Sequence, residues 1–135
     1  MRYLTLLLAL CLLGAMTLLP SDSGEATVQF TTEHGMLLVQ GFYASGEEQE
    51  EEALAYILEV VRDGTAGLST TRQRGAFIST PGQVDTLSTS QVSVGEGDQV
   101  EATLTVSRDD ETIAREIVRC TYPACGEPVD RGSSQ

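Results

Sequence analysis

The stretch Gln99–Arg108, QVEATLTVSR, alternates without a break: Val100, Ala102, Leu104 and Val106 fall on one face, and Glu101, Thr103 and Thr105 on the other. A helix would repeat its apolar positions about every 3.6 residues, whereas a strand sends successive side chains to opposite faces. The period of two therefore marks a strand with one face in a core and one in water. The same pattern recurs on both sides of it. Upstream, residues 53–62 (ALAYILEVVR) form the most apolar strand, with Leu54, Tyr56, Leu58 and Val60 on one face and Ile57 and Val61 on the other, which places it centrally in a sheet. Asp63-Gly64 is a tight-turn signal, and the chain resumes as 68–79 (LSTTRQRGAFIS) before Pro81-Gly82 turns it again.

Residues 27–31 (TVQFT) and Met36–Ala44 (MLLVQGFYA) read as a first pair of strands joined near His34-Gly35. Residues 85–94 precede the turn Gly95-Glu96-Gly97-Asp98, and residues 112–120 follow the hairpin turn Asp109-Asp110-Glu111. Helical periodicity is nearly absent. Seven strands punctuated by Gly, Pro and Asp predict an all-β, immunoglobulin-like antiparallel β-sandwich of about 100 residues.

Before this domain, Met1-Arg2 and the apolar run to Leu19, closed by Pro20 and small polar residues, read as a secretory signal peptide. Cleavage fits after Ser23 or after Ala26, with an uncleaved anchor as the other reading of the same run. The expected organisation is a leader over 1–26, a sandwich over 27–125 and a disordered tail over 126–135. Of 135 residues, 20 are Asp or Glu and 8 are basic, all of them Arg, for a net charge of −12. Removing 1–26 takes away Arg2, Asp22 and Glu25 and leaves a net charge of −11. So acidic a chain does not attract nucleic acid or an anionic membrane by general charge. Cys120 and Cys125 remain in a compartment where disulfides persist, and a bridge across four residues is expected as a clip on the C-terminal segment. Their C-x-x-x-x-C spacing differs from the C-x-x-C of redox sites.

Composition also argues against an enzyme. Once the expected leader takes Cys11 away, two Cys and one His are one ligand short of the four a Cys/His zinc site wants, and His34, the only imidazole, lies in a turn where a catalytic role has little support. Gly95-x-Gly97 lacks the third glycine and the following helix of a dinucleotide site, and is expected as a hairpin turn. The acidic run 47–52 (EEQEEE) has neither the Asp/Asn interleaving nor the Gly of a calcium loop, and is expected as a solvated loop. No metal and no cofactor are expected. What stands out is Arg72 and Arg74, two guanidinium groups on one strand face about 6.6 Å apart. They are either ordinary exposed ion-pair partners or a contact surface for an acidic or amide-rich extended chain, with Arg62 nearby.

Several features follow one another in order along the chain: Arg62-Asp63-Gly64 ending a strand, a Gly-containing turn to Ser69, and Thr71-Arg72-Gln73-Arg74. Gly75, Phe77, Thr80-Pro81-Gly82, Leu87, the 95–98 turn and the strand 100–106 come after them. On these residues, 56–118 resembles the small periplasmic curli-assembly proteins of the CsgC and CsgH type. Gln73-x-Gly75-x-Phe77 followed by Pro81-Gly82 is closest to the CsgH branch. The resemblance implies an immunoglobulin-like sandwich that keeps the curli amyloid subunit from polymerising in the periplasm, as a chaperone-like inhibitor and not an enzyme. It would act as a monomer without stable membrane association after cleavage. The expected client-binding residues are Arg72, Arg74, an exposed Gln73, and Arg62. The CsgC branch carries a Cys-x-Cys pair at the start of its central strand; the corresponding 52–54 has no cysteine. The alternative function is an adhesive module that pairs through an edge strand.

Overall fold

A computed structural model describes residues 24–126 as seven antiparallel strands in two facing sheets. The expected leader up to residue 23 and the expected tail beyond Gly126 lie outside the described residues. The strands are β1 (Glu25–Glu33), β2 (Met36–Ala44), β3 (Glu52–Gly64), β4 (Gly67–Ser79), β5 (Val84–Ser93), β6 (Gln99–Arg108) and β7 (Glu111–Thr121). One sheet has the order β1-β2-β5 and the other β4-β3-β6-β7. The expected all-β sandwich is the fold observed. β4 pairs with β3, so this strand belongs to the larger sheet, unlike the fourth strand of constant-type immunoglobulin domains.

Alternation drives the burial. From the small sheet Val28, Phe30, Leu37, Val39 and Tyr43 point inward, and from the large sheet Leu54, Leu58, Val60, Val100, Leu104 and Val106 meet them. β3 lies between β4 and β6, with the two faces expected of it. β1 starts at Glu25, two residues before the expected domain start, because Ala26 is buried opposite Tyr43 and extends the apolar row of Val28 and Phe30.

The turns explain how the strands are held. His34 and Gly35, and likewise Asp109 and Asp110, have positive φ, the left-handed pair that closes a two-residue hairpin. The 95–98 turn is a correction: it does not close a hairpin but carries the chain from β5 in one sheet to β6 in the other. Its Asp98 is buried, accepting from the Gly95 N–H at 2.8 Å, and its backbone bonds the C-terminal segment through Gly97 N to Tyr122 O and Tyr122 N to Asp98 O, both 2.9 Å. Cys120 and Cys125 are bridged with their Cα atoms 5.2 Å apart, and Cys125 is buried in the core. Residues 47–51 form a turn with largely exposed carboxylates, and Glu52 opens β3.

Glu52 is paired with Arg108, whose Nε donates to Oε2 at 2.6 Å while a second nitrogen meets Oε1. These hydrogen bonds hold the Glu52 carboxyl below the usual carboxylate range and hold Arg108 above its own. A depressed folded-state pKa gives stability that is present above the unfolded value, about pH 4.3, and lost as pH falls through the lower folded value. Glu52→Gln is therefore expected to lower stability at pH 7 by under about 1 kcal/mol, the range of exposed pairs, and to leave it unchanged near pH 2. Urea titrations at the two pH values check this; an equal loss at both would remove the ionic explanation.

Candidate functional site

Antiparallel register places residues directly opposite one another on the same side of a sheet. On the outer face of the large sheet, Arg72 lies beside Glu59, Glu59 beside Thr103, and Thr103 beside Ile117. The next row is Arg74, Ile57, Thr105 and Arg115, and the row on the other side is Thr70, Val61, Glu101 and Arg119. Four arginines, Arg72, Arg74, Arg115 and Arg119, thus share one face with Glu59, Glu101 and, at its end, Asp63. On a chain this acidic, that face is where cations outnumber anions among the described residues.

The four arginines are not equivalent. Arg119 Nε holds Glu101 Oε2 at 2.5 Å, whereas Arg72 Nε stands 3.8 Å from Glu59 Oε2 with its side chain 54% exposed. Neither Arg74 nor Arg115 meets a carboxylate among the described residues. Exposed pairs of this kind contribute under about 1 kcal/mol, so the guanidinium groups are available to other anions. Between them lie half-buried Ile57 and Val61 and exposed Ile117, so the face offers charge and apolar area together.

Two expected site residues are not on this face. Gln73 belongs to the inward row of β4, where it accepts a hydrogen bond from the Ser88 hydroxyl of β5, so it ties the two sheets together at their open side. Its expected exposure is corrected: side chains flanking Arg72 and Arg74 by one position must point the other way. Arg62 follows Leu58 and Val60 on the inner face of β3 and donates from Nη1 to the Ser93 carbonyl at 2.9 Å, at the end of the sandwich. Arg115 and Arg119 were not among the expected residues. Their signal is the Arg-x-Ile-x-Arg spacing at 115–119, which shares a strand face, but only the register of β7 sets that face beside Arg72 and Arg74.

Local sequence fixes the shape of β4. Gly75 lies opposite Tyr56, and a Cβ built on it would come within 2.8 Å of the Tyr56 ring, so glycine lets that ring lie across the strand. Tyr56 in turn packs against Phe77 with centroids 6.3 Å apart, and Phe77 meets Tyr43 edge-on at 5.7 Å. This aromatic set anchors the inner row of β4 and leaves its outer row free.

Fold and site together define a class: a small β-sandwich whose distinguishing polar feature, among the described residues, is an arginine-bearing outer sheet face. Residues 25–118 match the CsgH protein family, and the chain belongs to that family. Among solved structures it is similar to the solution structure of CsgH from R. palustris, with 26% identity and a TM-score of 0.55, covering 68% of this chain and 89% of that one. It is also similar to the E. coli curli protein CsgC, with 18% identity and a TM-score of 0.59, covering 70% and 97% of the two chains. A search of the curated proteins gives no match.

Proposed function

We propose that this chain is a periplasmic, chaperone-like inhibitor of curli subunit polymerisation that holds the extended, unfolded subunit through transient contacts with the outer face of its large sheet. Membership of the CsgH family and likeness to a curli protein support the client class. The observation that carries the site is the gathering of Arg72, Arg74, Arg115 and Arg119 on one face of an otherwise acidic domain. Arginine donates in a planar fork to carboxylates and amide carbonyls, and such contacts compete with the in-register stacking that builds a cross-β nucleus. No bond is made or broken in this role.

The test is dye-followed growth of the curli subunit with the mature protein well below equimolar. Wild type is expected to lengthen the lag and Arg72→Glu/Arg74→Glu to lose that effect; equal inhibition by both would move the site elsewhere. Charge contacts at the surface are screened over about 8–10 Å at physiological salt, so inhibition should weaken as salt rises, and inhibition unchanged at about 1 M would remove the electrostatic mechanism. Glu59→Gln frees Arg72 and is expected to lengthen the lag further while changing stability by less than about 0.5 kcal/mol.

The leader is proposed to be cleaved after Ser23. Ala26 is buried, and Gly24 covers the Tyr43 hydroxyl, since a Cβ at Gly24 would lie 2.1 Å from that oxygen. Cleavage after Ser23 keeps β1 whole, and intact-mass measurement of the exported protein is expected to give a chain beginning at Gly24. A chain beginning at Thr27 would show that the sandwich forms without the first residues of β1.

A further inference from the structure

β4 is an edge strand, and its register fixes which of its backbone groups lie open. The loop Thr65-Ala66 makes Gly64 and Gly67 the closing pair of a two-residue hairpin, which exchanges both backbone hydrogen bonds. Alternation along the unshifted ladder then gives Ser69, Thr71, Gln73, Gly75 and Phe77 to β3. The N–H and C=O groups of Leu68, Thr70, Arg72, Arg74, Ala76 and Ile78 point to the outer edge, where β4 has no neighbouring strand among the described residues. These are the same six residues whose side chains line the outer face.

The other edges are interrupted. Against β1 the C-terminal clip sets Gly126, with a Cβ position 3.0 Å from the Phe30 carbonyl oxygen. The β2–β5 and β6–β7 ladders each carry a register shift, at Gly41/Phe42 and Val106/Ser107. β4 runs for 13 residues without a shift and contains no proline. An unbulged edge of this length is a template for another strand.

We propose that the β4 edge takes one extended segment of an unfolded polypeptide as an added strand, and that the segment carries two acidic residues flanked by apolar ones. This deepens the client-binding reading above and rests on it. Cross-strand neighbours stand about 4.5–5.5 Å apart, so the added strand's outward side chains meet the six β4 residues one for one. Leu68 and Ile78, 71% and 56% exposed, call for apolar partners at the two ends; Arg72 and Arg74 call for carboxylates in the middle. The pattern is apolar, acid, acid, apolar at relative positions of about 0, 4, 6 and 10, and it reads alike in either direction. Backbone pairing supplies binding to any extended chain, and the side-chain pattern selects among them.

The test uses a synthetic peptide of about eleven residues with that pattern, and amide hydrogen exchange in the mature protein read residue by residue. Saturating peptide is expected to slow exchange about tenfold or more at Thr70, Arg72, Arg74 and Ala76 while Thr71, Gln73 and Gly75 keep their rates. A peptide N-methylated at alternate positions should give no such slowing. Ala76→Pro deletes an edge-facing donor without touching the β3 ladder, and should abolish both the protection and the lag extension while its unfolding midpoint stays near wild type. The N-methylated peptide keeps the test decisive should that variant fold poorly. Shifts confined to the arginine side chains, with no alternate-residue protection, would overturn strand addition. If Arg72→Glu/Arg74→Glu also loses inhibition in that case, the client-binding reading survives alone. Protection that grows with protein concentration and needs no peptide would assign the edge to a second copy and equally overturn the proposal.

Discussion

Leu104→Ala is expected to lower stability by about 3–4 kcal/mol, enough to move the thermal midpoint down by more than about 10 °C in a domain of this size. Leu104 is 0% exposed and stands in the middle of β6, one of the two strands with neighbours on both sides in the large sheet. Its tip presses on Gly41 of the facing sheet: a Cβ built on that glycine would lie 3.3 Å from Leu104 Cδ2. The two positions form a large-to-small fit, so truncating the leucine leaves a hole that a backbone without a side chain cannot fill. The surrounding rows are strands hydrogen-bonded on both edges, which limits collapse. Ile117→Ala, on the outer face and 44% exposed, is the matching control and should cost under about 1 kcal/mol. Urea unfolding of the three proteins measures both. A loss below about 1.5 kcal/mol for Leu104→Ala would mean that the core relaxes around Gly41.

That contrast also marks what could be read from the chain. The inward row of Val100, Ala102, Leu104 and Val106 is legible because it follows from strand geometry within one element. The same rule places Arg72 and Arg74 on one outer face, and it also turns Gln73 away from them, against the exposure expected of it. Arg62, expected near Arg72 and Arg74, shares the parity of Leu58 and Val60, which assigns it to the inner face. Arg115 and Arg119 show a different limit. Their parity is visible in 115–119, but their union with Arg72 and Arg74 depends on β7, β6, β3 and β4 lying side by side, a set of long-range pairings that local patterns do not encode. The 95–98 turn is of the same kind: Gly and Asp announce a turn, and only the sheet order decides whether it closes a hairpin or crosses the sandwich.

Replacing both cysteines, Cys120→Ala/Cys125→Ala, is expected to lower stability by about 2 kcal/mol or slightly more, and to do so locally first. The bridge closes a loop with a sequence separation of 5, for which chain entropy alone gives about 2 kcal/mol. Cys125 is 3% exposed within the core, so truncation also removes a buried sulfur. Two backbone bonds, Gly97 N to Tyr122 O and Tyr122 N to Asp98 O, continue to hold the clip, which keeps the loss from growing much larger. The clip tethers the turn between the sheets and covers the β1 edge at Phe30, so its loosening should speed amide exchange at Gly97 and Tyr122 and along β1 while β3 and β6 keep their protection. The arginine face lies on the far side of the large sheet from the Cys125 seat, so inhibition of amyloid growth at a temperature where the variant is folded should match wild type. An unfolding midpoint unchanged in urea would show that the backbone bonds alone secure the segment. A loss of inhibition without unfolding would instead tie the client surface to the clipped end of β7, where Arg119 precedes Cys120 directly.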